Sequence, residues 1–440
     1  MKLLMIADDF TGALDAGVQF AKNGFSTRVT VYAEGTEDPG ADVDVLVVDA
    51  ETRHKPPVEA YRVVSRIVRL AVVRGVSYFF KKTDSALRGN IGAELTAMLD
   101  ASGRRILHFV PAFPQMNRIT VDGIHYIDGT PVDKSVFGAD PFEPVTTSDV
   151  EKLIHQQCET QVELLQAGGN PAVGTEKTIA VYNCTSEQEL IETAEQLKEN
   201  GGLHLVAGCA GLAGILPGLF EWKKEVRERP ELPEKFLVVC GSINPITVHQ
   251  LDYAERHGFF RVRLTPEQKL DPEYFSRKEG RIWLEWLREV CVRRQRVIID
   301  TNDPYGDSST EHYAWRNKLL KREVRTRIPL ALGTIVGYLA EQGLGSAMLM
   351  TGGDTLLGCI QHMEDARLTP VGEFDTGIVL SELISKNSQT HVFTKSGGFG
   401  EETLLTDMAA RICRLEQEER MTEDEVCDDR GGCARGDAAS

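Results

Sequence analysis

Short apolar runs that stop at a polar or glycine-rich turn and lead into a helical pattern recur along this chain, and that repeat limits what it can fold into. Residues 3–6, 45–48, 77–80 and 105–110 are such runs, with helical patterns at 12–23, 59–73 and 92–99 between them. Thr11 is the expected cap of the first helix. Strands alternating with helices at a spacing of about 30 residues call for a parallel sheet with right-handed crossovers. Strands are expected again at 178–182 and 204–207, around a helix at 186–200. The pattern returns with strands at 236–240, 297–301, 347–351 and 391–394, and helices at 245–257, 328–342, 356–363 and 402–413. At 440 residues the chain needs more than one core. The charged stretch 221–234, EWKKEVRERPELPE, carries two prolines and reads as an interdomain link. The expected architecture is α/β, with two domains that each hold a largely parallel sheet flanked by helices. Residues 1–225 form the first, 226–235 the linker, 236–415 the second, and 416–440 an acidic, disordered tail.

Composition narrows the class of function. A net charge of −17 argues against a nucleic-acid partner, which requires a basic face. Part of that charge is local, since residues 416–437 hold nine acids against three arginines. No apolar run approaches the roughly 18 residues of a membrane span, and Asp8 and Asp9 end the first apolar run before a signal peptide could form. Nine cysteines lie scattered with no C-x-x-C pair, which fits reduced thiols and a cytoplasmic protein rather than a disulfide framework or a zinc site.

The stretch YFFKKTDSALRGNIGAEL at residues 78–95 carries the densest chemistry. Lys81, Lys82, Thr83, Asp84, Ser85, Arg88 and Asn90 follow a strand and precede a helix, where open α/β sheets bind their ligands. A lysine pair is ordinarily solvated surface. Cations interleaved with a carboxylate and neutral hydrogen-bonding groups suit a small, hydroxylated, anionic ligand better. Asp8 and Asp9 close the first strand and point toward the same crevice; Asp8 serves equally well as a helix cap or a ligand, while Asp9 reads as functional. Asp15 lies one turn further on, and Arg53 follows the second apolar run. Residues 111–144 break the repeat; they contain Asn117, Arg118 and Thr120 and a hairpin-like HYIDGT, and read as a functional loop or lid.

In the second half, Gly241-Ser242, Gly352-Gly353-Asp354-Thr355 and Lys395-Ser396-Gly397-Gly398-Phe399-Gly400 each follow a strand and precede a helix. Glycine lets the backbone approach an anion, and the next helix turns its free N–H groups toward it. Three such turns point to a nucleotide site without a Walker A loop. The glycines at 208, 211 and 214 have the wrong spacing for a dinucleotide fingerprint, and Gly343-Leu344-Gly345 precedes its strand.

ADDFTGALDAGVQFA at 7–21, KKTDSALRGN at 81–90, VPAFPQMNRIT at 110–120 and HYIDGTPVDKSVFGADPFEPV at 125–145 resemble the substrate domain of the four-carbon acid sugar kinases. GSINPITVHQ at 241–250, TGGDT at 351–355 and KSGGFGEE at 395–402 are similar to their nucleotide-binding domain. The resemblance covers nearly all of the chain except the tail. It implies ATP-dependent phosphorylation of the terminal hydroxyl of threonate, erythronate or 3-oxo-tetronate. It also implies nucleotide contacts at Ser242, Gly352 to Thr355 and Gly397, and substrate near Asp9, Arg53, Lys82 and Arg88. Three departures, Asn117-Arg118-Ile119-Thr120 for Gly-Arg-Thr-Thr, Cys209 for serine and Asn183 for aspartate, bear on the identity of the acid.

Phosphoryl transfer needs positioning, cations on the moving phosphoryl group and a carboxylate to take the hydroxyl proton. Lys82 and Arg88 fit the acid's carboxylate, or one of them the phosphoryl group; Asp9 and Asp84 are the alternative proton acceptors. Asp8, Asp15, Arg53, Lys81, Asn90 and Arg118 complete the substrate set, and Ser242, Gly352, Gly353, Asp354, Thr355, Gly397 and Gly398 the nucleotide set. Mg²⁺ is expected on the nucleotide phosphates, with few protein ligands. The partners are then a sugar acid and ATP, bound by domains that close on each other, and a homodimer is compatible with the sequence though nothing in it demands one. Two other readings stand beside the kinase: a non-catalytic sensor of sugar acid and nucleotide, and an NAD-linked dehydrogenase, which the missing G-x-G-x-x-G disfavours.

Overall fold

The computed structural model describes residues 1–33, 42–140, 143–172, 174–225, 232–363, 366–375, 377–395 and 400–413. The chain begins with β1 (Leu3–Ala7), α1 (Phe10–Ala21), β2 (Thr27–Val31), β3 (Val45–Asp49), α2 (Pro57–Val73), β4 (Tyr78–Lys82), α3 (Ile91–Ser102) and β5 (Ile106–Val110). A small antiparallel sheet follows, of β6 (Arg118–Val121), β7 (Ile124–Ile127) and β8 (Thr130–Pro131). Next come α4 (Val150–His155), β9 (Gln161–Leu165), β10 (Thr178–Tyr182), α5 (Glu187–Glu199), β11 (Leu205–Gly208) and α6 (Ala210–Leu219). The second half supplies β12 (Phe236–Cys240), α7 (Pro245–Arg256), β13 (Phe260–Arg263), α8 (Pro266–Leu270), α9 (Lys278–Arg293), β14 (Arg296–Asp300) and α10 (Ser309–Arg316). It continues through α11 (Lys321–Glu341), β15 (Ala347–Thr351), α12 (Gly353–His362), β16 (Arg367–Asp375), β17 (Ile378–Ile384) and β18 (Gln389–Lys395).

These elements form two compact units: Met1–Arg227 with Arg367–Val379, and Glu228–Ala366 with Leu380–Ser440. Much of the charged link and the whole of the acidic tail lie outside the described residues. In the first unit the strand order is β16-β2-β3-β1-β4-β11-β5-β10-β9. It is parallel apart from β16, which pairs antiparallel with β2 through Leu368 and Val29. The link from β3 to β4 passes over β1, so the strand order reverses beside β1, and the carboxyl ends there open the crevice where such sheets bind ligands. Ala7 lies opposite both Asp49 and Lys82, so three strands end level. In the second unit the order is β13-β14-β12-β15-β18-β17, and Cys240 and Thr351 end β12 and β15 side by side.

Sequence and packing agree where strands are buried on both faces. β1 is LLMIA, β3 VLVVD and β12 FLVVC, each buried along its full length, as a sheet with helices on both sides requires. Helix α1 lies close over the sheet because Gly17 lacks a side chain; a Cβ there would come within 3.2 Å and 3.3 Å of the Val29 and Val47 methyls. Three expectations change. Helix α1 starts at Phe10 with Asp9 as its cap, its carboxylate accepting from Gly12 N, so Thr11 lies inside the first turn. β4 runs on through Lys81 and Lys82 instead of ending at Phe80. Strand β16 was not anticipated, because Pro370 and Gly372 argue against a strand in any sequence reading.

The region 111–144 is partly ordered as the β6–β7–β8 sheet, and HYIDGT is its second hairpin, with Tyr126 opposite Pro131 and Ile127 opposite Thr130. Asp128 and Gly129 have φ of 49° and 75°, the left-handed pair of a tight hairpin turn. Each of the seven cysteines among the described residues is a free thiol. No helix among them is long and apolar enough to cross a membrane.

Helices α11 and α12 touch backbone to backbone. A Cβ on Gly333 would lie 2.3 Å from Gly358 O, and one on Gly358 would lie 2.5 Å from Pro329 O. Gly358→Ala is therefore expected to destabilise the second unit by about 1–3 kcal/mol, the usual cost of overpacking. Denaturant unfolding checks this, and an unchanged midpoint would mean that the two helices part freely.

Candidate active site

Arg53 is the centre of the first unit's crevice. It leaves the β3 edge and donates from Nε to Asp8 Oδ2 (2.7 Å) and from Nη1 to Asp9 Oδ2 (2.7 Å). Its Nη2 stands 3.7 Å from Asp84 Oδ1. Asp8 and Asp9 follow β1, and Asp84 follows β4 by two residues, so one guanidinium ties together two adjacent strand ends. Asp9 also caps α1, with Gly12 N 3.0 Å from Oδ1. Capping and charge pairing thus fall on one carboxylate, whereas Asp8 caps nothing.

Asp84 is the most heavily bonded carboxylate of the group. Oδ2 accepts from Ala86 N (3.1 Å), Arg88 N (3.2 Å) and Arg88 Nε (2.9 Å), and Oδ1 from Arg88 Nη2 (3.0 Å). Arg88 in turn reaches Asp140 at 3.4 Å. Burial works against the charge of Asp84, but Arg53 and Arg88 outweigh it and hold the carboxyl far below the usual carboxylate range. Asp8 is likewise buried and yet lowered, chiefly by Arg53 and Lys81. Burial also opposes the charge of Arg53, and its three aspartates raise it well above its ordinary value.

Because β4 continues through the lysine pair, its period of two sends the two side chains to opposite faces. Lys81 is fully buried, 2.9 Å from Glu94 Oε2 on α3, and donates to Lys82 O at 2.8 Å. It is an interior ion pair, away from the ligand face on which the sequence had placed it. Lys82 turns toward α1: a Cβ on Gly12 would lie 2.9 Å from Lys82 Nζ and 2.5 Å from Asp9 Oδ1. Lys82 Nζ donates one hydrogen bond among the described residues, to Thr83 O at 3.0 Å. Asn90, expected to meet substrate, spends both amide hydrogens on Thr52 O (2.7 Å) and Lys55 O (2.8 Å). It therefore acts through the loop that carries Arg53.

The β6–β7 sheet supplies the other side. Arg118 Nη1 donates to Ser85 Oγ, and its Nε is buried with no partner among the described residues. Phe137 lies beneath both Arg118 (5.5 Å) and Arg88 (5.2 Å). His125 fixes this sheet against the β4 loop through Ser85 O (3.0 Å) and Thr120 Oγ1 (3.0 Å), and burial lowers its pKa to about 4. The residues that depart from the family pattern have structural posts here. Asn117 takes φ of 51°, a position glycine or asparagine fills readily, and Asn183 accepts from Gly123 N at 2.9 Å. Asp15 is half-buried on α1, and burial raises its pKa to about 6, with Asp9 and Glu373 adding to the rise while Lys82 opposes it.

In the second unit the turns after β12 and β15 interlock. A Cβ on Gly241 would lie 2.2 Å from Thr355 Oγ1, and Gly352 has φ of 94°. No side chain caps α12, so the N–H groups of Gly353, Asp354 and Thr355 face the turn. Asp354 neither caps nor stands alone; it pairs with Arg325 at 3.1 Å. Ser242 Oγ accepts from Asn244 N (3.3 Å), and its carbonyl accepts from Asn302 Nδ2 (3.1 Å). Gly397 and Gly398 lie outside the described residues. Lys395 sits in register with Thr351 and is buried, which lowers its pKa to about 8.

Sequence reasoning missed Glu94, Asp140, Phe137, Asn302 and Glu373, and named Lys395 only as part of its glycine turn. Asn302 and Lys395 carried a usable signal, since each stands at or just past the end of an anticipated strand. Removing one member of a buried ion pair costs about 3–5 kcal/mol. Glu94→Ala should destabilise the fold on that scale in denaturant unfolding, and adding Lys81→Met should recover most of the loss. A Glu94→Ala cost below about 1 kcal/mol would mean Lys81 finds water.

A family model described as a sugar-binding N-terminal domain matches residues 3–216, and one described as a nucleotide-binding C-terminal domain matches residues 237–405. The chain is 35% identical over 431 residues to a D-threonate kinase of Cupriavidus necator, covering 92% of this chain and 96% of that protein. It is 29% identical over 429 residues to a D-threonate kinase of Salmonella typhimurium, covering 92% and 97%. Other relatives are named D-erythronate kinase and 3-oxo-tetronate kinase. A crystal structure of a Haemophilus influenzae protein superposes with a TM-score of 0.68 at 21% identity, over 91% of this chain and 97% of that one, and shares the fold. With both domain models matched in order and the similarity running almost end to end, this chain belongs to the four-carbon acid sugar kinase family.

Proposed function

We propose that the chain is an ATP-dependent kinase that phosphorylates the terminal hydroxyl of a four-carbon sugar acid of the threonate, erythronate or 3-oxo-tetronate type. The observation that carries this reading is the row of aspartates clamped by Arg53 and Arg88 at the first unit's strand reversal. Carboxylates paired with arginine accept hydrogen bonds from sugar hydroxyls, while Lys82 and Arg118 retain donors for an anion. Arg88, paired with Asp84 and Asp140, orders that wall. The names of the relatives support the four-carbon class and favour threonate as the first acid to test.

For the nucleotide, the support is the pair of glycine turns after β12 and β15, the open N-terminus of α12 and the neighbouring Lys395. Among the described residues no three His, Cys, Asp or Glu side chains gather to hold a metal. Mg²⁺ would arrive on the nucleotide phosphates with waters still attached. Such an ion would neutralise the transferring phosphoryl group, while the chain's own residues orient the acid and exclude solvent.

An ADP-release assay with Mg-ATP and a panel of four-carbon sugar acids, aldoses and polyols tests the reading. Turnover confined to one or more acids is expected; ATP binding without turnover of any acid would favour the sensor reading. Gly352→Ala forces a side chain into φ of 94°, at a strain of about 1–3 kcal/mol. The KM for ATP is expected to rise about 5- to 100-fold with little change in the KM for the acid. An unchanged KM for ATP would move the phosphates away from this turn.

A further inference from the structure

The carboxylates nearest Arg53 are each tied to that guanidinium. Asp84 accepts four hydrogen bonds and is held strongly acidic by its arginines. Both oxygens of Asp9 are engaged, one by Gly12 N and one by Arg53. Asp8 is buried beneath the guanidinium. Asp15 differs: among the described residues no hydrogen bond or ion pair engages its carboxylate, and it lies half-buried on α1. Gly12 and Asp15 are three residues apart and therefore share a helix face. Lys82 Nζ packs on that face, within 2.9 Å of where a Gly12 Cβ would be.

The side chains follow one another across the crevice. Arg118 touches Ser85, Asp84 follows beside Arg88, Arg53 spans from Asp84 to Asp9, and Asp9 and Lys82 meet at Gly12 next to Asp15. We propose that the four-carbon acid lies along this row with its carboxylate toward Arg118 and its terminal hydroxyl toward Lys82, and that Asp15 is the catalytic residue that takes the hydroxyl proton. This deepens the kinase reading and rests on it.

The step balances as follows. An Asp15 carboxylate oxygen takes the hydroxyl proton, and the freed oxygen lone pair forms the bond to the γ-phosphorus of the nucleoside triphosphate. The bond from that phosphorus to the β,γ-bridging oxygen breaks, and its electron pair leaves with the nucleoside diphosphate. Asp15 later gives the proton to water. Lys82 meets the negative charge on the moving phosphoryl oxygens.

The surroundings of Asp15 suit that task. Burial comes first among the causes that raise its pKa to about 6, so it is ionised at neutral pH yet basic enough to accept a proton. Of the elements packed on α1, β4 brings Lys82 and β16 brings Glu373, which is tied to Lys22 at 3.1 Å. The end of β1 brings Asp8 and Asp9, both paired with Arg53. β3 ends in Asp49, which accepts from Glu51 N, and Arg28 of β2 interacts with Arg367. Helix α6 carries no ionisable side chain.

Rate–pH profiles with Mg-ATP and D-threonate, together with calorimetric binding of the acid, test the proposal. For the unmodified enzyme kcat should fall below about pH 6 as Asp15 becomes protonated. Asp15→Asn should lower kcat by about 100-fold or more, the scale of general-base catalysis, and flatten this acidic limb, with the acid's Kd changed by less than about fivefold. Its Tm at neutral pH should equal or exceed that of the unmodified protein, because a buried charge has gone. Asp15→Asn retaining more than about a tenth of kcat would overturn the proposal. An unmodified enzyme that turns over no four-carbon acid would instead defeat the kinase reading itself.

Discussion

The crevice of the first unit depends on one guanidinium. Arg53 holds Asp8, Asp9 and Asp84 together at the ends of two neighbouring strands, and without it three carboxylates would face one another with little water between them. Like charges that close cannot all ionise, so the loss of Arg53 would change the protonation of the whole row. The surrounding structure keeps this side chain in place. Asn90 bonds the turn on either side of it, and Gly89, at φ of 86°, passes so close that a Cβ would lie 3.2 Å from Arg53 Cγ.

The second organising constraint is the two-residue period of β4. Two adjacent lysines with the same chemistry take unrelated roles because one strand step separates them. Lys81 neutralises Glu94 beneath the sheet, and Lys82 meets the first turn of α1. Gly12 is the condition for that meeting, since any side chain there would displace both Lys82 and Asp9. The glycine in ADDFTGALDA thus opens space for the charges around it, as Gly241 does for Thr355 in the second unit.

Much of this was legible beforehand. Continuous apolar runs ending in polar turns announced the parallel sheets, and the strand-end rule led to Asp9, Arg53, Lys82, Asp84 and the glycine turns. What misled was local ambiguity. Lys81 and Asn90 have the composition of ligand-binding residues, and only the register of β4 and the course of the 52–55 turn assign them to the framework. The pairing of Asp354 with Arg325, 29 residues away, is likewise not readable from the TGGDT turn. β16 left no readable trace, because a proline and a glycine sit within it.

The sequence by itself determined the class of fold, the family and the chemical types gathered at each turn, because these follow from periodicity and from which residues stand next to each other. The tertiary structure decided which face each charge occupies, that arginine holds Asp8 and Asp84 acidic, and that burial makes Asp15, which no arginine engages, more basic. Those properties depend on distance through space and on removal from water, and neither quantity is written in the order of the residues.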